Sequence, residues 1–401
     1  MRLQLIAIIT FFSISAFGQS TVEIKKDTLA AGKTEIDFLF SYYHQEGDNS
    51  AVQGGRGTEK LTDVASTVIV NIPTTPIRDF IFEYNISYYT SASSDNINPT
   101  TISSASSDNL VNHINLTKIY KDTAHHSQTG FKLGITHQNN FGGFSLGGLY
   151  SKQSQNNNRE LKIQGSFTLD KWALYYPISK LYPVELKGHG DLVNTDKRYS
   201  YNVSLAYKQI VTKRLQIQVA TEMIYQTGLL STPFHRVYFQ GQDVAKLEKL
   251  PSHRMRIPFT FRVNYYAMDH LIVRSLYRYY IDDFGITSHT FNIELPVKLT
   301  NFFSLYPFYN FHTQTASTYF QPYHEHSVNE LYYTSDYDLS QLNSYEIGGG
   351  FYYAPVYNIA TFKRKKNYWF ALKKWETRIA SYRRSTKLHA VIISTHLGFV
   401  F

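Results

Sequence analysis

The sequence predicts an all-β chain, a transmembrane antiparallel up-and-down β-barrel of about sixteen strands, on three observations. An export-type leader opens it. Period-two alternation then recurs in runs of about ten residues, the length of a tilted strand crossing a bilayer. The last such run ends on Phe401. In the leader, Arg2 supplies a positive start and Leu5 to Phe17 the apolar stretch, with a small-x-small cleavage site at Ala16-Phe17-Gly18 ahead of Gln19. Its ~13 apolar residues are too few for a spanning helix. Residues 1–18 are therefore expected to be a signal peptide, 19–33 a short periplasmic segment and 34–401 the barrel.

The strands follow from the alternation. Ile36, Phe38, Phe40 and Tyr42 alternate with Asp37, Leu39, Ser41 and Tyr43. Phe80 to Tyr88, Leu215 to Met223, Met255 to Val263, Phe291 to Leu299 and Val391 to Phe401 behave alike. A soluble sandwich also alternates. The membrane is favoured by the leader, by the 33 Tyr and 27 Phe gathered on the apolar face near strand ends, and by mid-strand charges on the other face, among them Glu83. Backbone groups in hydrocarbon must all pair, so the sheet must close.

Strands are expected near 34–44, 63–72, 80–90, 110–120, 129–138, 142–153, 159–169, 198–209, 214–226, 254–266, 270–282, 286–299, 302–315, 344–354, 374–384 and 388–401. Glycines 142, 143, 147 and 148 blur the pattern, which leaves fourteen and eighteen strands open. An even count puts both termini in the periplasm. Short connections at 73–79, 210–213, 267–269 and 300–301 are then periplasmic turns. Long ones at 45–62, 91–109, 170–197, 227–253 and 316–343 are extracellular loops. Residues 355–373 form a long, basic, aromatic connection on the periplasmic side. The hexapeptide Ser-Ala-Ser-Ser-Asp-Asn occurs at 91–96 and again at 104–109, a duplication within one loop.

Composition narrows the class. Of 401 residues 43% are hydrophobic, which excludes a disordered chain. Mean hydropathy of −0.31 excludes a helical membrane protein. With no Cys there is no disulfide scaffold, Cys-zinc site, iron–sulfur cluster, Cys nucleophile or lipid-anchoring Cys. The net charge is +9, and +8 once Arg2 leaves with the leader. Export and the scatter of basic residues argue against nucleic acid as a partner. Only Lys363-Arg364-Lys365-Lys366 is a dense cluster.

Several segments resemble a family of bacterial outer-membrane proteins labelled domain of unknown function 3570. They are Gly47 to Asp63, Tyr89 to Ile97, Tyr279 to Thr290, Pro307 to Phe320, Tyr333 to Ser340 and Tyr382 to Ser394. In the last of these Ser385-Thr386-Lys387 replaces the family's usual Asp-Gly turn. The resemblance implies an outer-membrane barrel of Gram-negative type and no particular chemistry.

Candidate functional residues follow from strand parity. Glu222, Arg256, Arg262, Arg274, Arg278, Asp282, Glu294, Glu346, Glu376 and Arg378, with Arg254 and Arg384, should point into the bore. They either select small polar or anionic solutes in a porin-like channel or brace the bore with salt bridges. The oxygen-rich loop set Asp48, Glu59, Asp63, Asp95, Asp108, Asp336 and Asp338 suits turn chemistry better than calcium, since no EF-hand spacing is present. Gly54, Gly55 and Gly57 around Arg56 read as φ > 0 positions of a folded-in loop. His324 and His326, if extended, project to one side and are weak metal candidates.

Catalysis is not expected. Ser288 and His289 are adjacent in a strand and face opposite ways, and Asp283-Phe284-Gly285 reads as a hairpin turn. The expectation is an outer-membrane barrel without cofactor or enzymatic activity, a multi-pass protein located there after leader cleavage. Its partners would be outer-membrane lipid, the barrel-assembly machinery through the strand ending at Phe401, and a periplasmic partner at 355–373. The function is either a channel or a non-conducting scaffold or receptor.

Overall fold

The computed structural model describes residues 32–90, 109–138, 141–175, 192–232, 234–363 and 369–401. The expected signal peptide, most of 19–33, Asp95, Asp108, the duplicated hexapeptide apart from Asn109, and residues 364–368 lie outside the described residues.

The alternating runs form one closed sheet of sixteen antiparallel strands. The first nine are β1 (Glu35–Glu46), β2 (Leu61–Thr75), β3 (Arg78–Tyr89), β4 (Asn109–Asp122), β5 (Ser127–Gln138), β6 (Phe141–Gln153), β7 (Arg159–Tyr175), β8 (Leu192–Thr212) and β9 (Leu215–Gly228). Then come β10 (His253–Met268), β11 (Leu271–Asp282) and β12, which runs Thr287–Glu294 and resumes as Val297–Lys298. Pro296, which has no N–H to donate, accounts for that interruption. The circuit ends with β13 (Phe303–Gln314), β14 (Leu342–Tyr353), β15 (Trp369–Arg384) and β16 (His389–Val400). Closure is direct: β1 pairs with β2 on one side and with β16 on the other, so Phe38 stands between Val68 and Leu397. Among the described residues no edge remains unpaired around the circuit.

The pleat separates two environments. Outward positions carry the aromatic and aliphatic residues, and they stay exposed: Ile135 is 58% accessible, Ile347 59% and Phe259 43%. A belt of large apolar side chains held in the open on every side is the arrangement of a barrel whose outside meets hydrocarbon. Inward positions carry the polar set.

Strand order and number agree with the alternation, and three boundaries do not. β7 and β8 run well past 169 and begin before 198, pairing as far as Tyr175 with Leu192. Charged residues such as Asp170, Lys171 and Lys197 break the apolar rhythm there, but a ladder that rises beyond the belt needs no such rhythm. Residues 355–373 are not one long connection: Ala360–Lys363 pairs with Trp369–Leu372, so β15 starts at Trp369. In this hairpin Phe362 stacks on Phe370 at 4.7 Å, and Phe370 on the terminal Phe401 at 5.5 Å. The glycine-rich stretch is β6 throughout, which resolves the strand count at sixteen.

Candidate functional site

The bore has two unlike walls. On β10 to β15 the inward side chains are long and charged, and they form a connected chain. Arg274 Nη1 donates to Glu294 Oε1 at 2.7 Å, and Arg378 Nη1 to Glu294 Oε2 at 3.1 Å. Arg378 Nε then meets Glu376 Oε1 at 2.8 Å, and Tyr306 Oη donates to the same oxygen at 2.6 Å. Arg378 stands on β15 and Glu294 on β12, with two strands between them. Their contact depends on inward Gly348 and Gly350 of β14, where a Cβ would run into the rings of Phe308 and Tyr306 respectively. The rings of Tyr306 and Phe308 lie over the bare glycines, and the Arg378 guanidinium stacks on them at 4.7 and 6.0 Å.

Nearer the end carrying the long connections, the loop end, Arg254 Nε donates to Asp282 Oδ2 at 3.0 Å and Tyr280 Oη donates to the same oxygen at 2.7 Å. Glu222 accepts from Asn202, Arg278 Nε reaches Thr260 Oγ1 at 3.4 Å, and Glu346 faces Asn310 across the β13–β14 ladder. Arg256 and Arg262 make no ion pair among the described residues. Of these parity-assigned residues some form bridges, and Arg256 and Arg262 have no ion pair among the described residues.

The opposite wall is lower. Eight strands round the circuit, β5 to β7 turn Gly130, Gly134, Gly143, Ser145, Gly147 and Ser166 inward, interspersed with the longer Lys132, Leu149, Lys162, Gln164 and Asp170. So many small inward side chains leave room in a barrel this wide. Inward Lys132 is 46% exposed even while it reaches toward Glu83 at 3.8 Å, and inward Ser166 is exposed as well.

At the loop end several connections fold together into a cap. The largest fully buried side chains include Phe239, Val237, Phe284, His326, Thr334, Ser50 and Ser335, all in these connections. Val237, Phe239 and Tyr333 make a small apolar core between 229–252 and 315–341. Bridges Phe239↔His326 and Lys249↔Tyr333 tie the two together. Connection 47–60 joins them because Gly54 and Gly55 adopt φ of 78° and 88°, bringing their backbone against Tyr238 and Tyr337. The short 3-10 turn Tyr337–Leu339 enters the mouth: Gln314 Nε2 donates to the Asp338 carbonyl at 2.9 Å, and Arg384 Nη1 to the Asp338 carboxylate at 2.6 Å. Phe284 is only 1% exposed, packed edge-on to Tyr319 and under Arg254.

The cap also holds buried charge. Thr334 Oγ1 donates to Glu248 Oε1 at 2.5 Å, the Thr232 N–H donates to Oε2 at 2.6 Å, and His235 Nδ1 lies 3.4 Å from Oε1. Burial opposes a charge on His235, but Glu248 and Asp336 outweigh it and raise its pKa above the ordinary 6.5. Burial, with Asp338 and Asp336 nearby, pushes Glu59 from 4.5 up to about 8 against the pull of Arg384. The His235 contribution is complete below pH 6.5 and fades as pH rises through its raised value. Glu59 holds its proton more tightly when folded, so the cap loses stability as pH climbs from 4.5 to about 8. Both groups act in one direction. Amide exchange at Phe239 and Thr334 is expected to speed up between about pH 5 and about pH 9 beyond the intrinsic pH effect, while mid-strand amides follow that effect alone. Corrected exchange that is flat, or slower at high pH, contradicts this.

The histidine pair is used by the cap itself. His326 is fully buried, with Nδ1 2.5 Å from Glu330 Oε2 and Nε2 3.0 Å from the Thr334 carbonyl; His324 Nδ1 lies 2.9 Å from the Phe239 carbonyl. Among the described residues no cluster of three His, Cys, Asp or Glu has metal-holding geometry. Of the acidic loop set, Glu59, Asp336 and Asp338 converge, whereas Asp63 lies on β2 and accepts from Ser87 at 2.6 Å. Strand parity gives no sign of the roles of Tyr280 and Tyr306 or of the His235–Glu248–Thr334 group. The six aromatic residues of 319–337 mark that connection as folded, but nothing local marks the others.

Solved structures with a similar chain path include one described as a bacterial polysaccharide outer membrane secretin (TM-score 0.47, 10% identity, 93% of this chain and 99% of that one). Others are a variant of the ferric enterobactin receptor PfeA of Pseudomonas aeruginosa (0.46, 11%, 89% and 54%) and the siderophore receptor PirA of Acinetobacter baumannii (0.44, 11%, 89% and 53%). This chain spans about half the length of the two receptors. No curated protein matches it. The family described as Protein of unknown function (DUF3570) matches residues 123–387, from the β4–β5 turn to the β15–β16 turn and more than half of the chain, and the chain belongs to that family.

Proposed function

We propose that the protein is an outer-membrane channel for small polar solutes that prefers anions. The observation that carries the channel is the low wall: exposed, inward Lys132 and Ser166 beside several inward glycines support a water-filled path along β5 to β7. The anion preference rests on Arg256 and Arg262, inward on β10 and without an ion pair among the described residues. A fixed positive charge on a low-dielectric wall concentrates anions and repels cations. The barrel reaches its membrane through recognition of its final strand, ending at Phe401, by the assembly machinery, and outer-membrane lipid then covers the apolar belt.

Reconstitution into planar bilayers tests this. Discrete conductance steps are expected, with a reversal potential in a salt gradient on the chloride side of zero. Arg256→Gln with Arg262→Gln is expected to move it toward zero. A folded, inserted protein with no conductance defeats the proposal.

One observation favours a second reading, a non-conducting scaffold with a partner at 355–373. Val356 and Tyr357, at the tip before the 360–372 hairpin, are 85% and 92% exposed. In that case Val356→Ser with Tyr357→Ser abolishes capture of a periplasmic partner and the bilayers stay silent.

A further inference from the structure

Three inward arginines stand together just inside the loop end: Arg198 on β8, and Arg254 and Arg256 on β10. Two of them are anchored. Arg198 donates to Asp170 Oδ2 from Nε at 3.0 Å and from Nη2 at 2.7 Å, and its guanidinium lies 5.6 Å from the Trp172 ring. Arg254 is held by Asp282 and lies 4.4 Å from the Phe284 ring.

Arg256 is different. Its cross-strand neighbour on β11 is Asp282. That carboxylate is already used: Oδ2 takes Arg254 and Tyr280, and Oδ1 takes the Ile286 N–H at 2.9 Å. Its neighbour on β9 is Ile224, which offers nothing polar. Glu222, one inward step further along β9, is bonded by Asn202. Arg256 therefore has no ion pair among the described residues, and its Nε is buried with no hydrogen-bond partner. A buried guanidinium N–H without an acceptor is costly, and a ligand oxygen would relieve it. The trio carries three positive charges against the two of Asp170 and Asp282.

We propose that Arg256, flanked by Arg198 and Arg254, is an oxyanion-binding subsite in the bore, taking the phosphate or carboxylate group of a solute. The planar fork of Arg256 suits two oxygens of one such group. Its neighbours, each anchored to a carboxylate, do not compete for its acceptor and leave the trio with one uncompensated positive charge. The subsite deepens the channel proposal by naming the solute class, and it rests on the bore being aqueous at that depth.

The test uses the folded, detergent-solubilised chain and inorganic phosphate, with acetate and citrate as carboxylate probes. Binding is read by calorimetry and by fluorescence of Trp172 beneath Arg198, at low ionic strength. Saturable binding of phosphate, of a carboxylate, or of both is expected, and which probe binds identifies the group. Arg256→Gln should weaken it about tenfold or more, and Arg256→Lys should weaken it less, because charge survives and the fork does not. Lys208→Gln, the same charge change near the far end of β8, should leave it unaltered. Urea midpoints check that each variant folds. Binding of no oxyanion, Arg256→Gln binding like the parent, or Lys208→Gln losing as much, overturns the subsite. The same samples in bilayers keep the two proposals apart: binding without current defeats the channel alone, and current without binding defeats the subsite alone.

Discussion

Glu294→Gln is expected to lower the unfolding free energy by about 2–3 kcal/mol. Glu294 is 8% exposed and takes one guanidinium on each oxygen, Arg274 at 2.7 Å and Arg378 at 3.1 Å. The amide keeps the shape and loses both charge-assisted bonds. Two features hold the loss below the ~3–5 kcal/mol of a sealed ion pair. The Arg274 side chain is 37% exposed, so water in the bore can take it over, and Arg378 keeps Glu376 at 2.8 Å. Arg378 should then be less firmly laid over Tyr306 and Phe308. Removing the partner as well, in Glu294→Gln with Arg274→Gln, is expected to cost less than the sum of the single changes, because no stranded charge remains. Urea unfolding in detergent micelles measures all three variants. A single-variant loss under about 0.5 kcal/mol would show that hydration of the bore makes these bridges ornamental.

The strand order was legible because one constraint repeats: a two-residue period separating hydrocarbon from water. It identified β1, β3, β9, β10 and β16 from runs such as Phe80 to Tyr88, and parity turned every charged candidate inward. It failed where that constraint lapses. β7 and β8 continue beyond the belt, where Asp170, Arg198 and Trp172 obey a local ladder and not the membrane. The partners of the charges were hidden for another reason. Whether Glu294 meets Arg378 depends on register across four strands and on two glycines that leave the path clear. The cap was hidden because its order is tertiary. Phe239 is buried by Tyr333, more than 90 residues away, and no local period announces that.

The central claim is that outward residues meet lipid and inward ones meet water in an enclosed bore, and the sequence has no cysteine to complicate a labelling test. Single variants Lys132→Cys and Ser166→Cys place a thiol inward on β5 and β7, and Leu133→Cys and Phe167→Cys place one outward on the same strands. In lipid vesicles a charged, membrane-impermeant thiol reagent should modify the first pair fast and nearly completely and leave the second pair unmodified. Equal labelling of adjacent residues, or labelling of Leu133→Cys and Phe167→Cys alone, would contradict it.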